Sequence, residues 1–204
     1  MNPNPLHSDL GIILLAAGSS SRMGQSKQLL KVNGNSLLYQ SAKAVADCEA
    51  TITLVVLGDN ALNHKLTINT LPVEVAENEV WHKGIGNSLK FGLSYLLKKK
   101  PQLKAVLVCV CDQPLLSTEH LQNIISTAKN CEESIVASYY STTAGVPGLF
   151  KSIFFDQLLS IQDQDGAKSI VQKNLNKVKT VDFPGGEIDL DTWSDYETFL
   201  KKNL

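Results

Sequence analysis

A loop rich in glycine, serine and cationic residues follows the first apolar run of the chain. Residues 15–27 read Leu-Ala-Ala-Gly-Ser-Ser-Ser-Arg-Met-Gly-Gln-Ser-Lys. Glycines let the backbone approach a ligand closely, and successive exposed N–H groups form a concavity that binds anions. Arg22 offers a planar fork for phosphate oxygens, and Lys27 offers a mobile point charge. The loop therefore predicts a cradle for a polyphosphate; a surface loop with incidental charges is the alternative.

The glycine spacing of this loop differs from two common phosphate-binding motifs. A Walker loop has four residues between its glycines and a lysine directly after the second. Here five residues separate Gly18 from Gly24, and Lys27 comes three residues later. The dinucleotide fingerprint G-x-G-x-x-G is also absent from this turn. The cradle therefore belongs to another class of phosphate-binding loop.

Acidic residues end two later segments of the chain. Asp112 closes the apolar run 105–111, where a carboxylate opposite a phosphate cradle is a natural Mg²⁺ ligand. The alternative is that Asp112 caps the helix that begins near residues 117–118. Asp189 and Asp191 are two residues apart, so at the period of a strand they would share one face. One of them can complete the magnesium site while the other caps the last helix, and the spacing leaves open which.

Apolar runs of strand length alternate with amphipathic stretches of helix length along the chain. Strands are predicted over residues 12–16, 52–57, 73–76, 105–111, 134–138, 145–150 and 178–183. Helices are predicted over residues 36–48, 60–67, 85–99, 118–130, 153–160, 167–174 and from 194 onward. The alternation indicates one three-layer α/β domain over residues 1–204, with residues 1–9 as a disordered tail. Such sheets bind ligands beyond the carboxyl ends of their strands, where the cradle and Asp112 lie.

Composition excludes several classes of function. The 204 residues include 19 Lys+Arg against 20 Asp+Glu, and this balance argues against a nucleic-acid partner. We also expect no membrane span and no export signal, because apolar runs are short and residues 1–10 lack Lys and Arg. Cys109 and Cys111 share one strand face, which predicts buried thiols. We therefore predict a reduced, cytoplasmic protein.

The loop motif Leu15-Ala16-Ala17-Gly18-x-Ser20-x-Arg22-Met23-Gly24-x-x-Lys27 resembles the signature of molybdenum-cofactor-type nucleotidyltransferases, and within them the cytidylyltransferase branch. Further matches follow in the family's order: Asn78-x-x-Trp81-x-x-Gly84-x-x-x-Ser88-Leu89, Cys111-Asp112-Gln113-Pro114, Gly145-x-Pro147-x-x-Phe150, Gly166-Ala167-Lys168 and Asp189-x-Asp191-Thr192. The resemblance spans residues 11–200 and implies a Rossmann-like fold with a mostly parallel, mixed sheet of about seven strands.

The resemblance also implies an activity: transfer of CMP from CTP to the phosphate of a molybdopterin-type cofactor, with release of pyrophosphate. It implies Mg²⁺ held by Asp112 and Asp191, and catalytic roles for Arg22 and Lys27. The nucleotide-binding residues that it implies are Leu15, Ala16, Ala17, Gly18, Ser20, Arg22, Lys27, Asn78, Ser88 and Asp112. Ala17 marks the cytidylyl branch, because the guanylyl branch typically has glycine there.

Two departures from the family pattern lie on the acceptor side. Val146 replaces a polar residue before the proline, and Gln164 replaces an aspartate before the Gly-Ala pair. Transfer to a sugar or polyol phosphate therefore stays open, as do GMP transfer and a non-catalytic nucleotide-sensing subunit. The expected partners are CTP, a phosphorylated small molecule and, transiently, a molybdoenzyme or its chaperone, with no nucleic acid and no membrane.

Overall fold

The computed structural model describes residues 9–20 and 23–203. The strands are β1 (Leu10–Ala16), β2 (Lys31–Val32), β3 (Asn35–Ser36), β4 (Ile52–Leu57), β5 (Glu74–Glu77), β6 (Ala105–Val110), β7 (Ile135–Tyr140), β8 (Thr143–Lys151) and β9 (Val178–Asp182). The α-helices are α1 (Leu37–Ala46), α2 (Ala61–Thr67), α3 (Ile85–Lys99), α4 (Thr118–Asn130), α5 (Phe155–Leu159), α6 (Ala167–Lys173) and α7 (Trp193–Asn203).

A seven-stranded sheet with the order β5-β4-β1-β6-β8-β7-β9 forms the middle layer. β1 pairs in parallel with β4 and β6, whereas β8 pairs antiparallel with β6 and β7. The reversal has a local cause: only Ser141 and Thr142 join β7 to β8, and both have positive φ angles. A two-residue turn of this kind closes an antiparallel hairpin. The predicted three-layer α/β fold with a mostly parallel sheet is confirmed.

The sheet separates two apolar cores. Leu107, Cys109 and Cys111 pack into the core beneath α1 and α4, while Val106 and Val108 pack into the core beneath α3 and α6. This alternation follows from the two-residue period of a strand. The predicted burial of both thiols is confirmed, and burial raises the pKa of Cys111 to about 12. Its thiol therefore stays protonated and acts as a packing group.

Local structure differs from the sequence-based expectation in two places. The short hairpin β2–β3 was not predicted, although Asn33 and Gly34 both adopt the positive φ angles of an Asn-Gly turn. The expected tail, residues 1–9, lies outside the described residues except for Asp9. The Asp9 carbonyl accepts hydrogen bonds from the backbone N–H groups of Lys104 (2.8 Å) and Ala105 (3.2 Å). Among the helices of residues 9–20 and 23–203, none is long and apolar enough to cross a bilayer.

Candidate active site

A cavity of about 280 Å³ opens beyond the carboxyl ends of β1 and β6. The two strands run side by side, and the Cys111 N–H donates to the Leu15 carbonyl (3.1 Å) just before the strands diverge. The lining combines apolar, backbone and charged groups: Leu15, Ala16, Ala17, Gly18, Ser19, Lys27, Gln28, Trp81, His82, Gly84, Ile85, Ser88, Val110 and Asp112. One cavity therefore has an apolar wall that suits a base and a charged end that suits phosphates.

Two carboxylates converge on one ammonium at the charged end of the cavity. Lys27 Nζ lies 2.7 Å from Asp112 Oδ2 and 2.9 Å from Asp191 Oδ1. The Asp112 carbonyl also accepts the N–H of Leu190 (3.2 Å), and this contact holds the distant segment with Asp191 against the end of β6. Residues separated by 85 and 164 positions in the chain thus meet within hydrogen-bond distance.

Burial and charge shift the pKa values of this cluster. Burial alone lowers the pKa of Lys27, but the charges and hydrogen bonds of Asp112 and Asp191 outweigh it and raise the pKa above its usual value. Asp189 lies nearby, and burial, followed by the charges of Asp112 and Asp191, raises its pKa to about 6. The site thus holds more carboxylate charge than Lys27 alone neutralises.

Other side chains cap the helices that follow Asp112 and Asp191. Ser117 Oγ accepts the His120 N–H (3.2 Å) at the start of α4. At the start of α7, Thr192 and Asp195 form a reciprocal pair: Asp195 Oδ2 accepts the Thr192 N–H (2.8 Å), and Thr192 Oγ1 accepts the Asp195 N–H (3.2 Å). Ser117 and Thr192 therefore supply the side-chain oxygens that cap these two helices, and a cap from Asp112 or Asp191 is not needed.

The carboxylates of Asp112 and Asp191 fit a Mg²⁺ ion that also binds phosphates. Mg²⁺ in enzymes that act on nucleotides takes one or two carboxylates and completes its octahedron with phosphate oxygens and water. In residues 9–20 and 23–203, no group of three or more His, Cys, Asp or Glu side chains is arranged to hold a metal unaided. Two oxygen ligands that already converge on one cation match the first requirement, and a bound triphosphate would supply the rest.

Gln28 was not identified from the sequence, yet it holds together the loop of residues 15–27, the predicted phosphate loop. Its side chain is only 2% exposed and reaches both ends of the loop. The amide nitrogen donates to the carbonyls of Gly18 (2.7 Å) and Ala16 (3.3 Å). The amide oxygen accepts from the hydroxyls of Ser26 (2.8 Å) and Ser20 (3.0 Å). No sequence signal marks such a glutamine, because glutamine is usually exposed and its burial here depends on the fold of the loop.

Ser26 extends this network to α2, where Nε2 of the buried His64 lies 2.6 Å from Ser26 Oγ. Burial lowers the pKa of His64, so the ring is neutral at neutral pH. Ser20 Oγ also accepts the Lys27 backbone N–H (2.9 Å). The predicted nucleotide ligand Ser20 thus uses its side chain to fix the backbone that carries Lys27.

Gly18 lies in the cavity wall with open space beside it. A Cβ atom built there meets no atom of the described chain within 4 Å. Packing inside the protein therefore does not demand glycine at this position, whereas a ligand approaching the backbone closely would. Arg22, predicted as the second phosphate cation, lies outside the described residues.

Asn78 and Ser88 lie at different depths. Ser88 lines the cavity, whereas the Asn78 side chain is 1% exposed and donates to Ser88 Oγ (3.1 Å) and Asn87 Oδ1 (3.1 Å). Asn78 Oδ1 accepts the Val80 N–H (3.2 Å). Asn78 therefore fixes the position of Ser88. Of these two residues, Ser88 lines the cavity and Asn78 lies behind it.

Gln113 and Gln164 tie down the loops of the predicted acceptor side. The buried Gln113 amide donates to the carbonyls of Gly186 (2.7 Å) and Val146 (3.1 Å). Gln164, which departs from the family pattern, donates to the Lys83 carbonyl (2.6 Å). Val146 thus contributes its backbone, while Gln164 links its loop to the segment that precedes α3.

Comparison with known proteins gives one family match and several relatives. The family model described as the MobA-like NTP transferase domain matches residues 12–178. The purine catabolism protein PucB of Bacillus subtilis is 26% identical over 199 residues, which cover 91% of this chain and 93% of PucB. The bifunctional protein GlmU of Thermobifida fusca is 29% identical over 121 residues, which cover 56% of this chain but only 25% of GlmU.

Three solved structures, which represent two proteins, are similar to nearly the whole chain. Rv0371c of Mycobacterium tuberculosis superposes with a TM-score of 0.81 at 24% identity, covering 95% of this chain and 98% of Rv0371c, and a complex of the same protein with manganese gives 0.79 at 22% identity. The 4-diphosphocytidyl-2C-methyl-D-erythritol synthase of Anaerococcus prevotii gives 0.72 at 16% identity, covering 98% of this chain and 100% of the synthase. At these identities, the likeness establishes a shared fold.

Proposed function

We propose, from the premise that the chain belongs to the MobA-like NTP transferase domain family, that this nucleotidyltransferase moves CMP from CTP to a phosphorylated small molecule. The acceptor that we propose is a molybdopterin-type cofactor. The proposed reaction requires a divalent cation, with Mg²⁺ as the expected ion. It takes place in the cytoplasm, where the four free cysteines remain reduced.

The observation that carries this proposal is the contact of Lys27 with Asp112 and Asp191 at the charged end of the cavity. Ala17 and Gly18 line the same cavity. A nucleoside triphosphate placed with its base against the apolar wall would have its phosphates at this charged end. Lys27 would then face anionic oxygens, and the two carboxylates would hold the metal that accompanies the nucleotide. Arg22 is the second phosphate cation that the family resemblance implies.

The chemistry that this geometry supports is in-line attack on the α-phosphorus. An oxygen of the acceptor phosphate forms the new P–O bond, the bond between the α-phosphorus and the bridging oxygen breaks, and pyrophosphate leaves with the electron pair. The acceptor phosphate is already anionic at neutral pH, so no side chain has to remove a proton. The protein contributes positioning and cationic charge near the leaving group. Bound Mg²⁺ would neutralise negative charge on the phosphates.

CTP is the proposed donor because Ala17 lies in the cavity wall, where we expect its methyl group to leave less space for a purine than a glycine would. A polyol phosphate is the second candidate acceptor. It is favoured by the structural match to a 4-diphosphocytidyl-2C-methyl-D-erythritol synthase, whose name places a cytidyl group on a polyol. Gln164 and Val146 depart from the family pattern on the predicted acceptor side, and these departures are a reason to test both acceptors.

The proposal is tested by pyrophosphate release from CTP, GTP or ATP with Mg²⁺ and each candidate acceptor. We expect release with CTP and molybdopterin, and tighter binding of CTP than of GTP by calorimetry. Release with the polyol phosphate alone would replace the acceptor, and equal or tighter GTP binding would reverse the base assignment. Nucleotide binding without turnover on any acceptor would identify a sensing subunit.

The Asp112→Asn variant tests the proposed metal ligand within the same assay. Asparagine keeps the shape but lacks the charge that Mg²⁺ requires, so we expect a folded protein with turnover reduced by at least 10²-fold, or about 2.7 kcal/mol. Asp47→Asn is the matched control, because Asp47 pairs with Lys43 on an exposed surface. Unchanged turnover in Asp112→Asn, measured beside that control, would remove Asp112 from the site.

A further inference from the structure

The Lys27 ammonium lies between one oxygen of Asp112 and one oxygen of Asp191, where a metal ion bound to both of these oxygens would lie. Nζ is 2.7 Å from Asp112 Oδ2 and 2.9 Å from Asp191 Oδ1. Mg²⁺ needs oxygen ligands at about 2.0–2.1 Å, so a Mg²⁺ ion bound to these two oxygens would take the position that the ammonium now holds. Two cations cannot occupy this position together. Lys27 in this position therefore competes with the metal.

Hydrogen bonds fix the backbone of Lys27, whereas its side chain has several rotatable bonds. Ser20 Oγ accepts the Lys27 N–H, and the neighbouring Gln28 is buried in the hydrogen bonds that close the loop. The lysine side chain is 17% exposed and lines the cavity. Rotation about its flexible stem can carry the ammonium from the carboxylates to phosphate oxygens while the loop stays in place.

We infer that Lys27 is a cation placeholder: it neutralises Asp112 and Asp191 in the empty enzyme, and it yields them to the metal when the nucleotide supplies phosphates in exchange. This inference rests on the proposed function. Its consequence is positive coupling between metal and nucleotide, because each ligand makes the other's site available. The empty enzyme thus binds free metal weakly and selects the metal–nucleotide complex.

The test measures binding of Mn²⁺ in the absence of nucleotide. The electron paramagnetic resonance signal of free Mn²⁺ reports how much of the metal remains unbound. Lys27→Gln removes the charge but keeps a hydrogen-bond donor, and Lys27→Met removes both. We expect both variants to bind Mn²⁺ about 10-fold more tightly than the wild type. They should also bind CTP more weakly. A lysine with only a structural role predicts unchanged or weaker Mn²⁺ binding, and either result overturns the inference.

Two controls place the gain at this site. Lys43→Met removes a lysine from the exposed pair with Asp47 and should leave Mn²⁺ affinity at the wild-type value. Adding Asp112→Asn to Lys27→Gln should abolish the gain. A gain that persists in the double variant would assign the metal to another site and overturn the inference.

Folding of the variants provides a second readout. If a Lys27 variant is unfolded in metal-free buffer, Mn²⁺ should restore its folded circular dichroism spectrum by replacing the missing cation. Failure of Mn²⁺ to do so would contradict the inference. Pyrophosphate release by the wild type is measured separately, so failure of the proposed function is distinguished from failure of the placeholder role.

Discussion

At the scale of single residues, the site depends on buried amides as much as on charges. Gln28 makes four hydrogen bonds that join the two ends of the phosphate loop, and the amide nitrogens of Gln113 and Asn78 donate to neighbouring segments. A buried amide with all its bonds made holds a loop rigidly, because each broken bond leaves an unsatisfied polar group. The loop can thus keep its shape in the absence of ligand.

We predict that Gln28→Met lowers the free energy of unfolding by about 1–3 kcal/mol. Methionine has a similar volume but leaves the Ser20 and Ser26 hydroxyls without their shared acceptor. Displacement of the loop should also lower kcat/KM about 10- to 100-fold. Chemical denaturation and steady-state kinetics measure the two effects.

Gln25→Met is the matched control for this prediction, because Gln25 is exposed in the same loop. Its unfolding free energy should stay within about 0.5 kcal/mol of the wild type, with unchanged kinetics. If Gln28→Met behaves like this control, the buried amide does not position the loop.

At the scale of elements, the three charged side chains of the site lie at or just beyond the ends of regular elements. Lys27 begins a single 3-10 turn, Asp112 follows β6, and Asp191 lies two residues before α7 begins. Such positions combine a fixed anchor with freedom of the side chain to reach a ligand. Side chains nearby cap the helices that follow Asp112 and Asp191.

We predict that Ser117→Ala lowers the free energy of unfolding by about 1 kcal/mol while turnover of the folded enzyme stays unchanged. The substitution removes the acceptor for the His120 N–H at the start of α4. Thermal and urea unfolding measure the loss.

Ser126→Ala is the control in the same helix, because its exposed hydroxyl only donates to the Asn123 carbonyl (3.0 Å). Its stability should change by less than about 0.5 kcal/mol. Equal stability of the two variants would mean that the α4 cap contributes nothing. A loss of turnover in Ser117→Ala would mean that the cap also positions Asp112.

At the scale of the whole molecule, His120 joins three parts of the fold. Its ring extends from α4, Nε2 lies 2.7 Å from Ser138 Oγ on β7, and the ring stacks on Phe183 with centroids 4.1 Å apart. Burial lowers its pKa to about 4. The folded protein therefore holds the neutral ring, and protonation favours the unfolded chain.

We predict a stability loss in acid that depends on His120. A histidine with a lowered folded pKa contributes stability that is present above the unfolded pKa of about 6.5 and is lost as pH falls toward about 4. Between pH 7 and pH 5, wild-type stability should fall by about 1 to 2 kcal/mol more than that of His120→Gln. Urea unfolding at both pH values measures this difference.

The pKa of His64 is also lowered, so this residue also reduces stability in acid. It does so equally in the wild type and in His120→Gln, and its contribution cancels when the two are compared. Parallel pH profiles for the wild type and His120→Gln would show that this ring carries no acid sensitivity.

The sequence by itself determined the layers of the fold and the composition of the phosphate loop. Alternating apolar runs and amphipathic stretches encode strand and helix locally, because their periods of two and 3.6 residues decide which faces are buried. The spacing of Cys109 and Cys111 likewise fixed their common face. Asp112 was placed at a strand end by the same local reasoning.

Only the tertiary structure decided which distant groups meet. Lys27 and Asp191 are separated by 164 positions, and their contact depends on how the segment at Leu190 pairs with Asp112. Burial of Gln28 likewise depends on the path of its own loop. No local pattern encodes such contacts, because their energy comes from groups brought together by the whole chain. The sequence therefore identified the charged groups, and the fold placed an ammonium between two carboxylates.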